Sequence, residues 1–134
     1  MKDLAAPEAP TDTILVTDTG FCPGDGAEVL DLPADADRAA LAAALTTNAT
    51  IRVAFASFAD GRGFTLARRL RQMGFAGRLR ASGHVLADQY AMARRSGFDE
   101  VEIDAALAAR QPEEQWRARA DWQAHDHRSR LRAG

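Results

Sequence analysis

The stretch from Thr50 to Arg71, TIRVAFASFADGRGFTLARRLR, constrains the fold more than any other part of the chain. Ile51, Val53 and Phe55 alternate with Arg52 and Ala54, the period of two that a strand with one buried face requires. From Phe64 to Met73 the period changes: Leu66, Leu70 and Met73 fall on one helical stripe while Arg68, Arg69 and Arg71 point elsewhere. Between strand and helix, Asp60-Gly61-Arg62-Gly63 places two permissive glycines, a carboxylate and a guanidinium at one turn.

The same grammar recurs on either side. Thr13 to Thr17 is a short β-branched run that reads as a strand, followed by turn-rich Asp18-Thr19-Gly20 and Pro23-Gly24-Asp25-Gly26. Ala27 to Leu32 alternates apolar and acidic residues and stops at Pro33, and Asp35 or Asp37 can cap a helix from about Ala36 to Leu45. Downstream, Arg78 to Ser82 reads as a strand, His84 to Ser96 as a helix, and Glu100 to Ile103 as a further strand. Gly74 ends one helix as MGFAG and Gly97 ends the next as SGFD, so two successive units share a helix-Gly-Phe-strand pattern. Alternating strands and helices with short links predict an α/β fold: a small parallel sheet of three to four strands, built from repeated βα units, with a C-terminal helix. Residues 1–12 read as a flexible lead-in, 13–112 as a single α/β domain, and 113–134 as a C-terminal helix (Glu113 to Asp126) with a basic tail. That helix carries Trp116 and Trp122 among charges, so it reads as a strap for docking rather than as core.

Charge narrows the function classes. The net charge is -2, which argues against a general nucleic-acid or membrane-surface binder. Its distribution is uneven: residues 1–50 carry -7, residues 51–110 carry +4 and residues 111–134 carry +1. The basic excess of the middle is written with arginine, which favours planar oxyanions. No apolar run approaches the roughly 20 residues of a membrane helix, and the acidic, proline-bearing N-terminus is no signal peptide. The single cysteine, Cys22, rules out an internal disulfide and fits the cytoplasm.

In a parallel sheet, ligands sit beyond the carboxyl ends of the strands. The candidate anion site there comprises Asp60, Gly61, Arg62 and Gly63 in one loop, with Arg80, His84, Asp88 and Gln89 around the next. Backbone N–H groups at the helix starts would add to Arg62 and Arg80. His84 and Asp88 stand four apart, a spacing at which a carboxylate can hold an imidazole. No nucleophile or metal set completes them, so the catalytic residues are unknown. His125 and His127 are two apart, which splits them across a helix, so no metal site is expected. Neither a GxGxxG turn nor a GxxxxGK[ST] loop occurs, so no cofactor is expected either.

The run from Ile51 to Glu102 resembles the bacterial domain-of-unknown-function 934 family. The resemblance rests on the DGRG turn with Phe64 and Thr65 after it, the GFAGRLRASG segment, the VLADQ run from Val85 to Gln89, and GFDEVE. It implies a role in assimilatory sulfur metabolism, where such proteins are described as oxidoreductases of sulfite reduction associated with sulfite reductase and phosphoadenylylsulfate reductase. It carries no catalytic residue across. The combined expectation is an accessory protein that binds a small anion or docks on a reductase. The alternatives are an oxidoreductase using a partner-supplied cofactor, with His84, Asp88 and Arg62 as its site, and a structural interaction subunit; a homo-oligomer is also allowed.

Overall fold

The computed structural model describes residues 13–123. Six strands form one sheet: β1 (Thr13–Thr17), β2 (Gly20–Pro23), β3 (Val29–Leu32), β4 (Thr50–Phe55), β5 (Leu79–Gly83) and β6 (Glu100–Asp104). Five helices accompany them: α1 (Arg38–Ala44), α2 (Arg62–Gln72), α3 (Tyr90–Ser96), α4 (Ala105–Arg110) and α5 (Glu113–Arg117). The spatial order is β2-β1-β6-β5-β4-β3. β3 to β6 are mutually parallel, as the βα repeats predict, but β1 pairs antiparallel with both β2 and β6.

The α/β class therefore holds, and the purely parallel sheet of three to four strands is corrected to a mixed sheet of six. The difference arises at Asp18-Thr19. These two residues form a hairpin turn, so Gly20 to Pro23 folds back as a strand on β1 instead of continuing as loop. Smaller corrections follow from caps. Asp37 accepts from the Ala40 N–H at 2.9 Å and starts α1 at Arg38, and α2 begins two residues earlier than its apolar stripe suggests.

Because β3, β4, β5 and β6 are adjacent in chain order, right-handed crossovers lay α1, α2 and α3 on one face of the sheet. Leu41, Leu66, Leu70, Tyr90 and Ala93 bury there against Ile51, Val53, Phe55, Leu79 and Val101. The two Gly-Phe stops work as one device. Gly74 (φ 103°) and Gly97 (φ 119°) take the left-handed conformation, and the N–H groups of Phe75 and Phe98 donate back to Leu70 and Ala93. Both rings then drop into the core, the pattern of a Schellman stop with its apolar clasp.

The opposite face is charged. In register across it run Asp31, Arg52, Arg80 and Glu100, with Ser82 and Glu102 in the next row. The link from β2 to β3 must cross this face, because those strands are the two edges. From Pro23 to Val29 an extended chain reaches about 20 Å, whereas five flat strand spacings add to about 24 Å. The sheet therefore curls around the link. Asp25, at its centre, accepts from Arg78 at 2.8 Å and Arg80 at 3.2 Å, and Arg80, Glu100 and Glu102 are left 4%, 5% and 8% exposed.

The C-terminal helix is shorter than its spacing predicts, Glu113–Arg117 rather than Glu113 to Asp126, of which residues 124–126 lie outside the described residues. Trp116 is core, 1% exposed, with Nε1 donating to the Gln111 carbonyl at 2.9 Å. The chain then turns back so that Trp122 lies under the Arg94 guanidinium, 4.8 Å from the ring centroid, and donates to Asp18 at 3.3 Å. A straight helix would have carried Trp122 roughly 9 Å beyond Trp116 on another side. Asp18 also accepts from Tyr90 at 2.5 Å and Arg94 at 3.1 Å. Burial works against the Asp18 charge, yet these donors hold its carboxyl below the usual range; burial and Asp18 together push the Tyr90 phenol up.

Candidate functional site

Beyond the carboxyl ends of β4 and β5 lie the two loops from which the sequence builds its site, and the start of α4 after β6 adjoins them. After β4, Asp60 and Arg62 bind each other: Arg62 Nε and Nη2 donate to the two carboxylate oxygens at 3.0 and 2.9 Å, and the Arg62 N–H adds a third bond at 3.1 Å. That hydrogen-bonding holds Asp60 down at about 2 and raises Arg62. Asp60 thus opens α2 and occupies the guanidinium as well. Gly61 precedes α2 and meets nothing where a Cβ would stand, whereas a Cβ on Gly63 would lie 2.4 Å from the Phe55 ring. Gly63 is there for close helix–sheet packing.

After β5, the helix expected from His84 is only half formed. Residues 84–86 are irregular, Ala87–Gln89 form a 3-10 turn, and the α-helix begins at Tyr90. Gln89 sets this geometry: its Oε1 accepts from the Leu86 N–H at 2.8 Å and its Nε2 donates to the Phe58 carbonyl at 2.9 Å. Outside a helix the four-residue spacing of His84 and Asp88 brings nothing together. Asp88 accepts from Arg119 at 2.7 Å instead. Arg80, a strand back, is committed to Glu100 at 2.6 Å and Glu102 at 2.9 Å.

His84 is held differently. Its ring nitrogen Nδ1 lies 3.2 Å from the Phe55 carbonyl, which can only accept, so Nδ1 carries the proton and Nε2 is left for a ligand. The Phe58 ring stands edge-on at 5.0 Å. The Phe55 carbonyl also accepts the His84 backbone N–H at 3.1 Å, and Gly83 makes room for this. Its φ is 97°, and a Cβ there would sit 2.9 Å from that oxygen. Gly83→Ala is expected to cost about 2 kcal/mol, read as a lower urea midpoint at unchanged slope.

His84 forms one wall of a cavity of 240 Å³ whose other walls include Phe58, Ser82, Glu102, Asp104 and Arg110. Asp104 is engaged as the cap of α4, accepting from the Leu107 N–H at 2.8 Å, and Glu102 is neutralised by Arg80 and Arg52. Arg110 is exposed and makes no ion pair among the described residues. Arg110, which can receive an anion, and the His84 imidazole thus face one small space at the edge where parallel sheets bind ligands.

Of the eight residues the sequence proposes, the structure puts only His84 in this cavity, with Arg80 one carboxylate behind it. Asp60, Gly61, Arg62 and Gly63 lie at the start of α2, and Arg62 faces α1. His84, Asp88 and Arg62 do not meet. Arg110 was missed, although DAALAAR carries a signal: Asp104 is a capping residue and the alanine-rich run after it favours helix. Among the described residues, no group of three or more His, Cys, Asp or Glu is placed to hold a metal; His125 and His127 lie outside them. No helix of the described residues is long and apolar enough to cross a membrane.

The family model described as bacterial protein of unknown function (DUF934) matches residues 29–130, a span from β3 to beyond α5 that includes every wall of the cavity except Thr13. No curated protein and no solved structure matches the chain.

Proposed function

Given that the chain belongs to the DUF934 family, we propose that it is an accessory protein of assimilatory sulfite reduction, holding a small sulfur oxyanion and docking on a reductase. The sulfur connection rests on the family resemblance set out above, and through it sulfite reductase or phosphoadenylylsulfate reductase is the expected partner. The anion half rests on one observation: Arg110, without an ion pair among the described residues, faces His84 across a 240 Å³ cavity. Arg62, the more conspicuous cation in the sequence, is already matched by Asp60. The role we assign to the cavity is binding, because its cationic arginine can hold an anion by charge-assisted hydrogen bonds.

Sulfite tests this. At ten times its dissociation constant a ligand of the folded state adds about 1.4 kcal/mol, a rise in Tm of a few degrees for a chain of this size. Millimolar sulfite is expected to raise Tm relative to chloride at equal ionic strength. Arg110→Ala removes the rise and Arg62→Ala keeps it. No rise at 10 mM sulfite, or a rise indifferent to Arg110, sinks the anion reading. Affinity purification from sulfate-limited cells of the native host tests docking, with a reductase of sulfur assimilation as the expected companion.

A further inference from the structure

The helix layer is parted between α1 and α2. One cavity, of 260 Å³, runs between Ala34, Leu41, Arg62 and Leu66; a second, of 340 Å³, continues between Arg38, Leu41, Gln72 and Met73. Both are walled by Leu41 and Arg69, so they form one groove. Its apolar lining comprises the partly buried Ala34, Ala36 and Met73 beside the buried Leu41 and Leu66. Its rim is cationic. Arg62 is held by Asp60; among the described residues, Arg38 and Arg69 make no ion pair and Asp35 is the one carboxylate lining the groove.

We propose that the α1–α2 groove docks an acidic amphipathic helix of a partner protein. The groove lies between helices rather than along a strand edge, so an incoming segment must satisfy its own backbone, as a helix does. Its length follows α2, whose 11 residues span about 16 Å, or three turns of a partner helix with anchors at i, i+3 or i+4, and i+7. Two unmatched guanidiniums, one on each helix, face whatever enters. Carboxylates on the partner's polar flanks pair with both, and a basic segment is repelled. The inference rests on the docking half of the proposed function and is independent of the His84–Arg110 cavity.

The test is a photocrosslinker, p-benzoylphenylalanine, in place of Gln72 in the full-length chain, with the same group at exposed Arg95 on α3 as control. After irradiation in native-host cells, mass spectrometry reads the sequence of the attached segment. The expected adduct is with another protein, through a segment rich in Asp and Glu with apolar residues at helical spacing. Arg38→Glu combined with Arg69→Glu is expected to cut it at least tenfold at unchanged Tm, and to weaken binding of the matching synthetic peptide by a similar factor. Four results overturn the proposal: no adduct above the Arg95 control, attachment to a basic or uncharged segment, attachment to this chain itself (residues 1–12 or a second copy), or an adduct that survives the double substitution. The sulfite-induced Tm rise measured on the same variants reads the Arg110 cavity separately. If that rise is missing while the adduct forms, the anion reading fails and the groove stands.

Discussion

Trp116→Ala is expected to lower the unfolding free energy by about 3–5 kcal/mol. Three losses add. The indole is 1% exposed and sits in the same core cluster as Val16, Val101 and Leu107, so its removal opens a cavity at the junction of α5 with the sheet. It stands edge-on to Tyr90, 6.3 Å between centroids, a contact that also steadies the phenol bonded to Asp18. Its Nε1–H satisfies the Gln111 carbonyl, while the Gln111 side chain accepts the Ala87 N–H at 2.6 Å. Losing the indole therefore loosens the 3-10 turn that carries Ala87–Gln89. Against a total stability of about 5–15 kcal/mol for a domain, the variant is marginal. Thermal denaturation checks it: a drop in Tm of more than ten degrees is expected, by the usual conversion of a few degrees per kcal/mol. A Tm within two or three degrees of the parent would mean that Trp116 belongs to a docking surface after all. Trp122→Ala, by contrast, removes a partly exposed ring and a cation–π contact, with an expected cost of about 1 kcal/mol.

Arg80→Met is expected to be comparably damaging, by about 3–5 kcal/mol, for an electrostatic reason. Arg80 is 4% exposed and neutralises two buried carboxylates at once, through Nε to Glu100 and Nη1 to Glu102. Methionine keeps much of the volume and leaves those carboxylates beneath the β2–β3 link with only Arg78 and Arg52 at their outer sides. Deleting one partner of a buried pair costs far more than the pair contributed, because the remaining charge is stranded. Guanidinium denaturation at pH 7 measures the loss; a deficit no larger than that of an exposed ion pair, about 1 kcal/mol, would mean that the carboxylates are not stranded. The parent protein has an acid limit of its own. Burial works against the Asp25 charge, but hydrogen bonds from Arg78 and the Ala27 N–H, with the nearby Arg80, hold its carboxyl down at about 2. A carboxyl lowered on folding stabilises above its unfolded value, near 3.9, so this contribution is complete above about pH 4 and is lost as pH falls through about 2. Asp25 is a third exposed, so the effect is screened and small beside that of Arg80.

Much of the architecture was legible because the signals are local. The alternation of Ile51, Val53 and Phe55 made β4, and the two Gly-Phe stops placed the ends of α2 and α3, since Gly74 and Gly97 need a positive φ and Phe75 and Phe98 need burial. The antiparallel edge was not legible. β1 pairs with β6, Val16 with Val101 and Thr13 with Asp104, 85 to 91 residues away, and nothing in TILVT names its neighbour or its direction. The helix start at His84 misled for the opposite reason: VLADQ has helical composition, but Gln89 spends its side chain on Leu86 and Phe58 and holds the chain in a 3-10 turn.

The DGRG turn shows where the boundary lies. By itself the sequence determined that a strand passes into a helix there through two glycines, because backbone freedom and apolar period are properties of neighbouring residues. It also supplied every arginine from which an anion site could be built. Only the tertiary structure decided which of them is available. Arg62 is taken by Asp60, Arg80 by Glu100 and Glu102, and Arg110 is left facing His84. Whether a guanidinium is free depends on which carboxylates the fold brings within about 4 Å, and those of Arg80 come from residues 20 and 22 positions further along the chain.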